Sequence, residues 1–148
     1  SKISRALSLL AVIIVILIQL SSINTLKANT SSNESASDSD SDAWSINIEK
    51  ELKELDQAYL INFTAAWCIT CQANDKLALS RPAVKTYFEE NNIKYIKADW
   101  TNRDNDILEV LTEYGRTGVP LYLYWKPGLD KTLILPAVLT EELLINSL

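Results

Sequence analysis

The sequence predicts an α/β layered domain over residues 44–148, a mixed sheet covered by helices on both faces. Three observations carry that expectation. From Trp44 onward, short apolar runs alternate with segments of helical periodicity, the order that builds a layered sheet. The alternation ends in two adjacent strands joined by Lys126-Pro127-Gly128, a turn signal that makes part of the sheet antiparallel. The globular pattern is also set off by an abrupt change of composition before it.

Residues 1–28 hold a clean apolar core, Ala6 to Leu20, interrupted only by Ser8 and Gln19. Flanking serines that satisfy themselves within a helix extend this core toward a membrane span. A secretory signal peptide is the competing reading, with Lys2 and Arg5 as its basic end and Leu26-Lys27-Ala28 near a cleavage site. Either way Lys2 and Arg5 hold that end in the cytoplasm, so the chain beyond the apolar run is expected outside. Residues 29–43 are Ser/Asp-rich, and 29–42 carry no aromatic and no branched aliphatic residue. Such a stretch buries too little surface to offset the entropy of ordering, and reads as a flexible linker reaching ~20 Å.

Within the domain, residues 46–55 predict a helix, with Ile48, Leu52 and Leu55 near helical spacing. Tyr59 to Phe63 is an unbroken apolar run, the mark of a central strand covered on both faces. It leads through Thr64-Ala65-Ala66-Trp67 into Cys68, which opens the next helix. That helix runs to about Leu79, and Pro82 marks a fresh helix extending to about Glu90. Residues 93–98 alternate as a strand. Residues 104–114 place Ile107, Leu111 and Tyr114 on one helical face before Gly115 ends it. Strands come next at 121–125 and 133–135, and Thr140 starts a closing helix.

The chemistry lies in Cys68-Ile69-Thr70-Cys71. At a strand-to-helix junction, unpaired backbone N–H groups and the helix dipole stabilise an anion on the first cysteine. Such placement lowers a cysteine pKa into the range of roughly 3.5–7.5. Cys68 is thus the expected nucleophile, and Cys71, one turn inside, the residue that resolves a mixed disulfide. A structural disulfide or half a zinc site are the other readings of two cysteines. Zinc lacks a third Cys and any His, and a disulfide closing so short a loop removes little chain entropy. The absence of His also excludes imidazole bases and Cys/His nucleophile pairs. A net charge of −5 without basic clusters disfavours nucleic acid as a partner.

The runs Phe63-Thr64-Ala65-Ala66-Trp67-Cys68-Ile69-Thr70-Cys71, Ala98-Asp99-Trp100-Thr101-Asn102-Arg103-Asp104 and Gly118-Val119-Pro120-Leu121-Tyr122 resemble the C-terminal thioredoxin-like domain of the DsbD family of thiol:disulfide interchange proteins. The resemblance spans about residues 44–148. It implies a thioredoxin-like fold and a protein-disulfide reductase in the periplasm, tethered to the bacterial inner membrane. Residues 1–28 would be the last transmembrane helix, which would also explain the missing initiator Met. A membrane-embedded redox domain would be the electron donor and a periplasmic thiol-disulfide protein the acceptor, with cytochrome c biogenesis among the pathways such a domain can serve. The redox-active disulfide Cys68–Cys71 would suffice, with no organic cofactor and no metal.

The resemblance further implies a cis Pro120, with Val119 offering strand-like hydrogen bonds to a partner, against a base rate that favours trans. Trp67, Ile69, Thr70, Val119 and Pro120 form the expected partner-binding set. One departure stands out. Thioredoxins bury an Asp six residues before the first cysteine, and this chain has Asn62, which cannot take a proton from Cys71. Because Ile69 and Thr70 add no positive charge beside the Cys68 thiolate, the expected direction is reduction of partner disulfides. The alternative functions are a copper metallochaperone of the same fold, and an interaction module with an inert disulfide.

Overall fold

An unbroken apolar strand can be hidden only if both of its faces are covered. In the computed structural model of the protein, which describes residues 42–148, Tyr59 to Phe63 are all buried. They belong to β2 (Tyr59–Thr64), the centre of a five-stranded sheet. The other strands are β1 (Asp42–Ala43), β3 (Lys94–Asp99), β4 (Leu121–Trp125) and β5 (Leu133–Ile134), in the spatial order β1-β3-β2-β4-β5. β3 pairs parallel with β1 and β2, while β4 pairs antiparallel with β2 and β5. The mixed sheet results from its connections: helices return the chain parallel between β2 and β3, the connection from β3 brings β4 in antiparallel to β2, and the loop 126–132 reverses the chain again between β4 and β5.

The period-two alternation of β2 splits the core. Tyr59, Ile61 and Phe63 point to one face, where they meet Leu52 of α1 (Ile48–Glu54) and Ile107 and Leu111 of α4 (Asn105–Glu113). Leu60 points to the other face. There it meets Ala78 and Leu79, Val84 and Phe88 of α3 (Pro82–Glu90), and Leu144 of α5 (Glu141–Ser147). Asn62, on the same side of the strand as Leu60, is the polar exception in this central strand.

The cysteine helix departs from expectation. Its regular part, α2, is Ile69–Asn74, and Asp75–Leu79 continues it as a wider π-helical turn. That turn carries Ala78 and Leu79 into the core and leaves Leu77 exposed. Two further readings are corrected. Asp42 and Ala43, assigned to the linker, form the edge strand β1 against Ile96 and Lys97. Leu55, expected on the buried face of the first helix, is 75% exposed because α1 stops at Glu54 and Asp56 turns the chain with a φ of +51°. Residues 1–28 and 29–41, read as membrane segment and linker, lie outside the described residues. Among the described residues, no helix is long and apolar enough to cross a membrane.

The sheet end away from the cysteines is tied by one carboxylate. Glu49 of α1 accepts hydrogen bonds from Lys53 Nζ at 2.6 Å, Thr132 Oγ1 at 2.6 Å and Tyr114 Oη at 2.9 Å. Thr132 in turn meets Tyr59 Oη at 3.2 Å. Burial pushes the Glu49 carboxyl up, but the hydrogen bonds from Lys53, Thr132 and Tyr114 outweigh it and hold the group below the ordinary range.

Candidate active site

β2 ends at Thr64, and the chain turns through Ala65, Ala66 and Trp67 before α2 begins. The turn is pinned to the loop after β3. Ala66 N–H donates to Thr101 Oγ1 at 2.8 Å, Trp67 Nε1–H to the Thr101 carbonyl at 3.1 Å, and Trp100 N–H to the Thr64 carbonyl at 2.8 Å. Asp99 fixes Thr101 by accepting from its backbone N–H and from its hydroxyl. These bonds leave Cys68 as the N-cap of α2, its Sγ accepting from the Cys71 N–H at 3.1 Å. A backbone donor at a helix start therefore already points at the sulfur that must carry charge.

Cys68 and Cys71 are joined in a disulfide with their Cα atoms 5.2 Å apart. Cys68 keeps 7% exposure against 3% for Cys71, so the first cysteine is the more exposed residue of the two. Around it, Trp67, Ile69 and Thr70 lie on the surface, with Ile69 82% exposed. Val119 packs against Ala65, Cys68 and Cys71, and the Val119–Pro120 peptide bond is cis. Both residues lie just before the β4 ladder, whose first pair with β2 is Leu121 with Phe63. The structure thus brings Val119 against the pair from which it is separated by about fifty residues of sequence, and places Trp67, Ile69 and Thr70 beside it through chain continuity.

Asn62 lines a cleft of about 170 Å³ together with Cys71, Gln72, Asp75, Lys97 and Asp99. Its Nδ2 donates to Tyr95 Oη at 2.8 Å, while its buried Oδ1 has no hydrogen-bond partner among the described residues. Asp75 and Asp99 are the carboxylates at this cleft, which sequence reading had no means of placing. Sequence reading also missed Asn74, whose Nδ2 donates to Tyr122 Oη at 2.8 Å and to the Ala137 carbonyl at 2.7 Å while its Oδ1 accepts from Leu139 N–H at 3.0 Å. It missed Arg103 as well. The Arg103 Cζ lies 5.1 Å from the Trp67 ring centroid and 5.5 Å from that of Trp100. The run 98–104 carried part of the resemblance, but no residue in it signals that an Arg folds back over a Trp more than thirty positions earlier.

A family model described as thioredoxin-like matches residues 47–127, more than half of the chain. The thiol:disulfide interchange protein DsbD of Campylobacter jejuni (strain RM1221) is 25% identical over 97 residues, covering 66% of this chain and 17% of that protein. The chain therefore spans about a sixth of the curated relative it matches. Among solved structures, the oxidised C-terminal domain of Neisseria meningitidis DsbD aligns with a TM-score of 0.54 at 22% identity, covering 68% of this chain and 85% of that one. A thioredoxin from Thermus thermophilus aligns at 0.55 and 14% identity, covering 73% and 84%. These structural likenesses show the fold.

Proposed function

The chain belongs to the thioredoxin-like family, and we propose that as a thiol-disulfide oxidoreductase it works in the reducing direction, passing electrons from a membrane redox domain to disulfides of periplasmic partner proteins. The observation that carries this reading is Cys68 at the start of α2, its Sγ aimed at by the Cys71 N–H and flanked by exposed Trp67 and Ile69. In the reduced domain the Cys68 thiolate attacks one sulfur of the partner disulfide and releases the other as a thiolate. Cys71, deprotonated, then attacks Cys68 Sγ, and the partner sulfur that Cys68 first attacked leaves as the second thiolate. Two electrons have moved to the partner, and the domain is left with the Cys68–Cys71 disulfide of this structure. The dithiol is the only electron carrier this sequence of steps requires.

The similarity to DsbD supports a domain facing the periplasm, with residues 1–28 as its anchor and the upstream redox domain as donor. Trp67, Ile69, Thr70, Val119 and Pro120 would form the surface on which the partner's cysteine segment lies, Val119 contributing backbone hydrogen bonds to it. Asn62 supports Cys71 without acting as a base, so the proton leaves through the cleft it lines. The test is the reduction potential in defined thiol buffers, read by alkylation of both cysteines. A value between roughly −200 and −270 mV fits a reductant, whereas one near −120 mV, that of a strong oxidant, would reverse the proposed direction. Cys68→Ser is expected to abolish insulin reduction.

A further inference from the structure

Arg103 adopts a φ of +57°, a left-handed conformation that costs a side-chain-bearing residue energy and marks positions where the surroundings over-determine the backbone. What the conformation achieves is the placement of a guanidinium against the indoles of Trp67 and Trp100, which also contact each other at 5.9 Å. Three carboxylates stand within four positions of it, those of Asp99, Asp104 and Asp106, and none pairs with it. Asp99 is engaged by Thr101, and Asp104 caps α4 by accepting from the N–H groups of Asp106 and Ile107 at 2.9 and 3.2 Å. Among the described residues, the Arg103 side chain makes no ion pair and no hydrogen bond. Its contacts are with the two ring systems, and its N–H donors are left for something outside the fold.

Resting on the reading of Cys68 and Cys71 as a working dithiol, we propose that Arg103 is a specificity-determining residue that recognises a carboxylate on the partner protein, close in sequence to the disulfide that Cys68 attacks. Trp67 links the two events in space. It precedes Cys68, is 47% exposed, and carries Arg103 on its ring, so a polypeptide whose sulfur reaches Cys68 passes beside the guanidinium. The chain as a whole carries a net charge of −5, which disfavours acidic partners at long range. A cation held over Trp67, the residue before Cys68, makes a carboxylate favourable at that place, and so fixes register. Arg103 takes no part in the bond exchange, which moves the same two electrons with or without it.

The probes are cystine-bridged peptides that differ only in Glu or Gln two residues from the disulfide, mixed with the reduced protein while Cys68 and Cys71 oxidation is followed by alkylation. The Glu peptide is expected to react about fivefold faster at low salt, as suits one exposed charge pair, with the preference shrinking at about 0.5 M salt. Arg103→Gln should abolish the preference and Arg103→Lys retain part of it. Lys131→Gln, which removes an exposed cation in the loop between β4 and β5, should leave the preference intact. Equal rates for the two peptides with the wild-type protein, or a preference that survives in Arg103→Gln, overturns the inference. So does an equal slowing of both peptides in Arg103→Gln, which would place the charge on the Cys68 thiolate instead of the partner. If the wild-type protein reduces neither peptide, the dithiol reading itself falls and takes this inference with it.

Discussion

Asn62 is the residue at which this site departs from the pattern it otherwise resembles, and its surroundings say what restoring the carboxylate would do. It is 3% exposed, touches Tyr95 through Nδ2, and shares a cleft with Cys71. In Asn62→Asp the new acid is desolvated, so its folded pKa is raised above the unfolded value of about 3.9. A raised acid destabilises the fold once pH passes the unfolded value, so the variant should lose stability relative to wild type between about pH 4 and 8. Paired urea titrations across that range check this, and parallel curves would refute it. The same carboxylate should speed release of a trapped mixed disulfide on the order of tenfold, below the ~10²–10⁴ of an optimised general base. Cys71→Ser should trap that mixed disulfide on Cys68, visible as a partner-linked band lost on reduction. Both cysteines were legible in the sequence because strand, junction and helix start are consecutive in the chain. Arg103 over Trp67 was not, because a ring contact between loops after different strands leaves no periodic trace.

At the scale of elements, Asn74 joins the cysteine helix to the segment before α5. It sits where α2 widens into the π-helical turn, and its side chain satisfies Tyr122 of β4, the Ala137 carbonyl and the Leu139 N–H. Asn74→Ala leaves three groups without their partner, two of those bonds being fully buried. Its expected cost is about 3 kcal/mol, read as a lower urea midpoint at unchanged slope; a loss below about 1 kcal/mol would show that these bonds are made equally well by water. The helix ends that rest on local chemistry track the sequence closely. Asp104 and Thr140 accept from N–H groups two or three residues ahead, as N-cap residues of their type do. The π-helical turn and the two-residue strand β1 were hidden from sequence reading. The first adjoins Asn74, whose partners lie more than forty residues downstream, and the second depends on pairing with β3 more than fifty residues away.

Across the whole molecule, Glu49 binds together parts that are distant in sequence: Lys53 of α1, Tyr114 at the end of α4, and Thr132 before β5, which reaches Tyr59 of β2. Because the folded pKa of Glu49 is lowered, its contribution is fully present above the unfolded pKa and is lost as pH falls through the folded value. Glu49→Gln should therefore cost about 2 kcal/mol at pH 7, and the gap between variant and wild type should close as the pH drops well below 4.5. A gap that is constant with pH would mean that shape, not charge, is responsible. The sequence by itself determined the layered α/β class, the strand and helix order and the cysteine pair at a helix start, because periodicity, caps and turns are written in neighbouring residues. The resemblance implied a cis Pro120, but only the tertiary structure decided that Val119 packs against the pair, that Asn62 opens onto Cys71, and that Arg103 lies over Trp67. Those placements depend on which strands pair and how far each loop returns, and burial of the two sheet faces, a property of the whole chain, sets both.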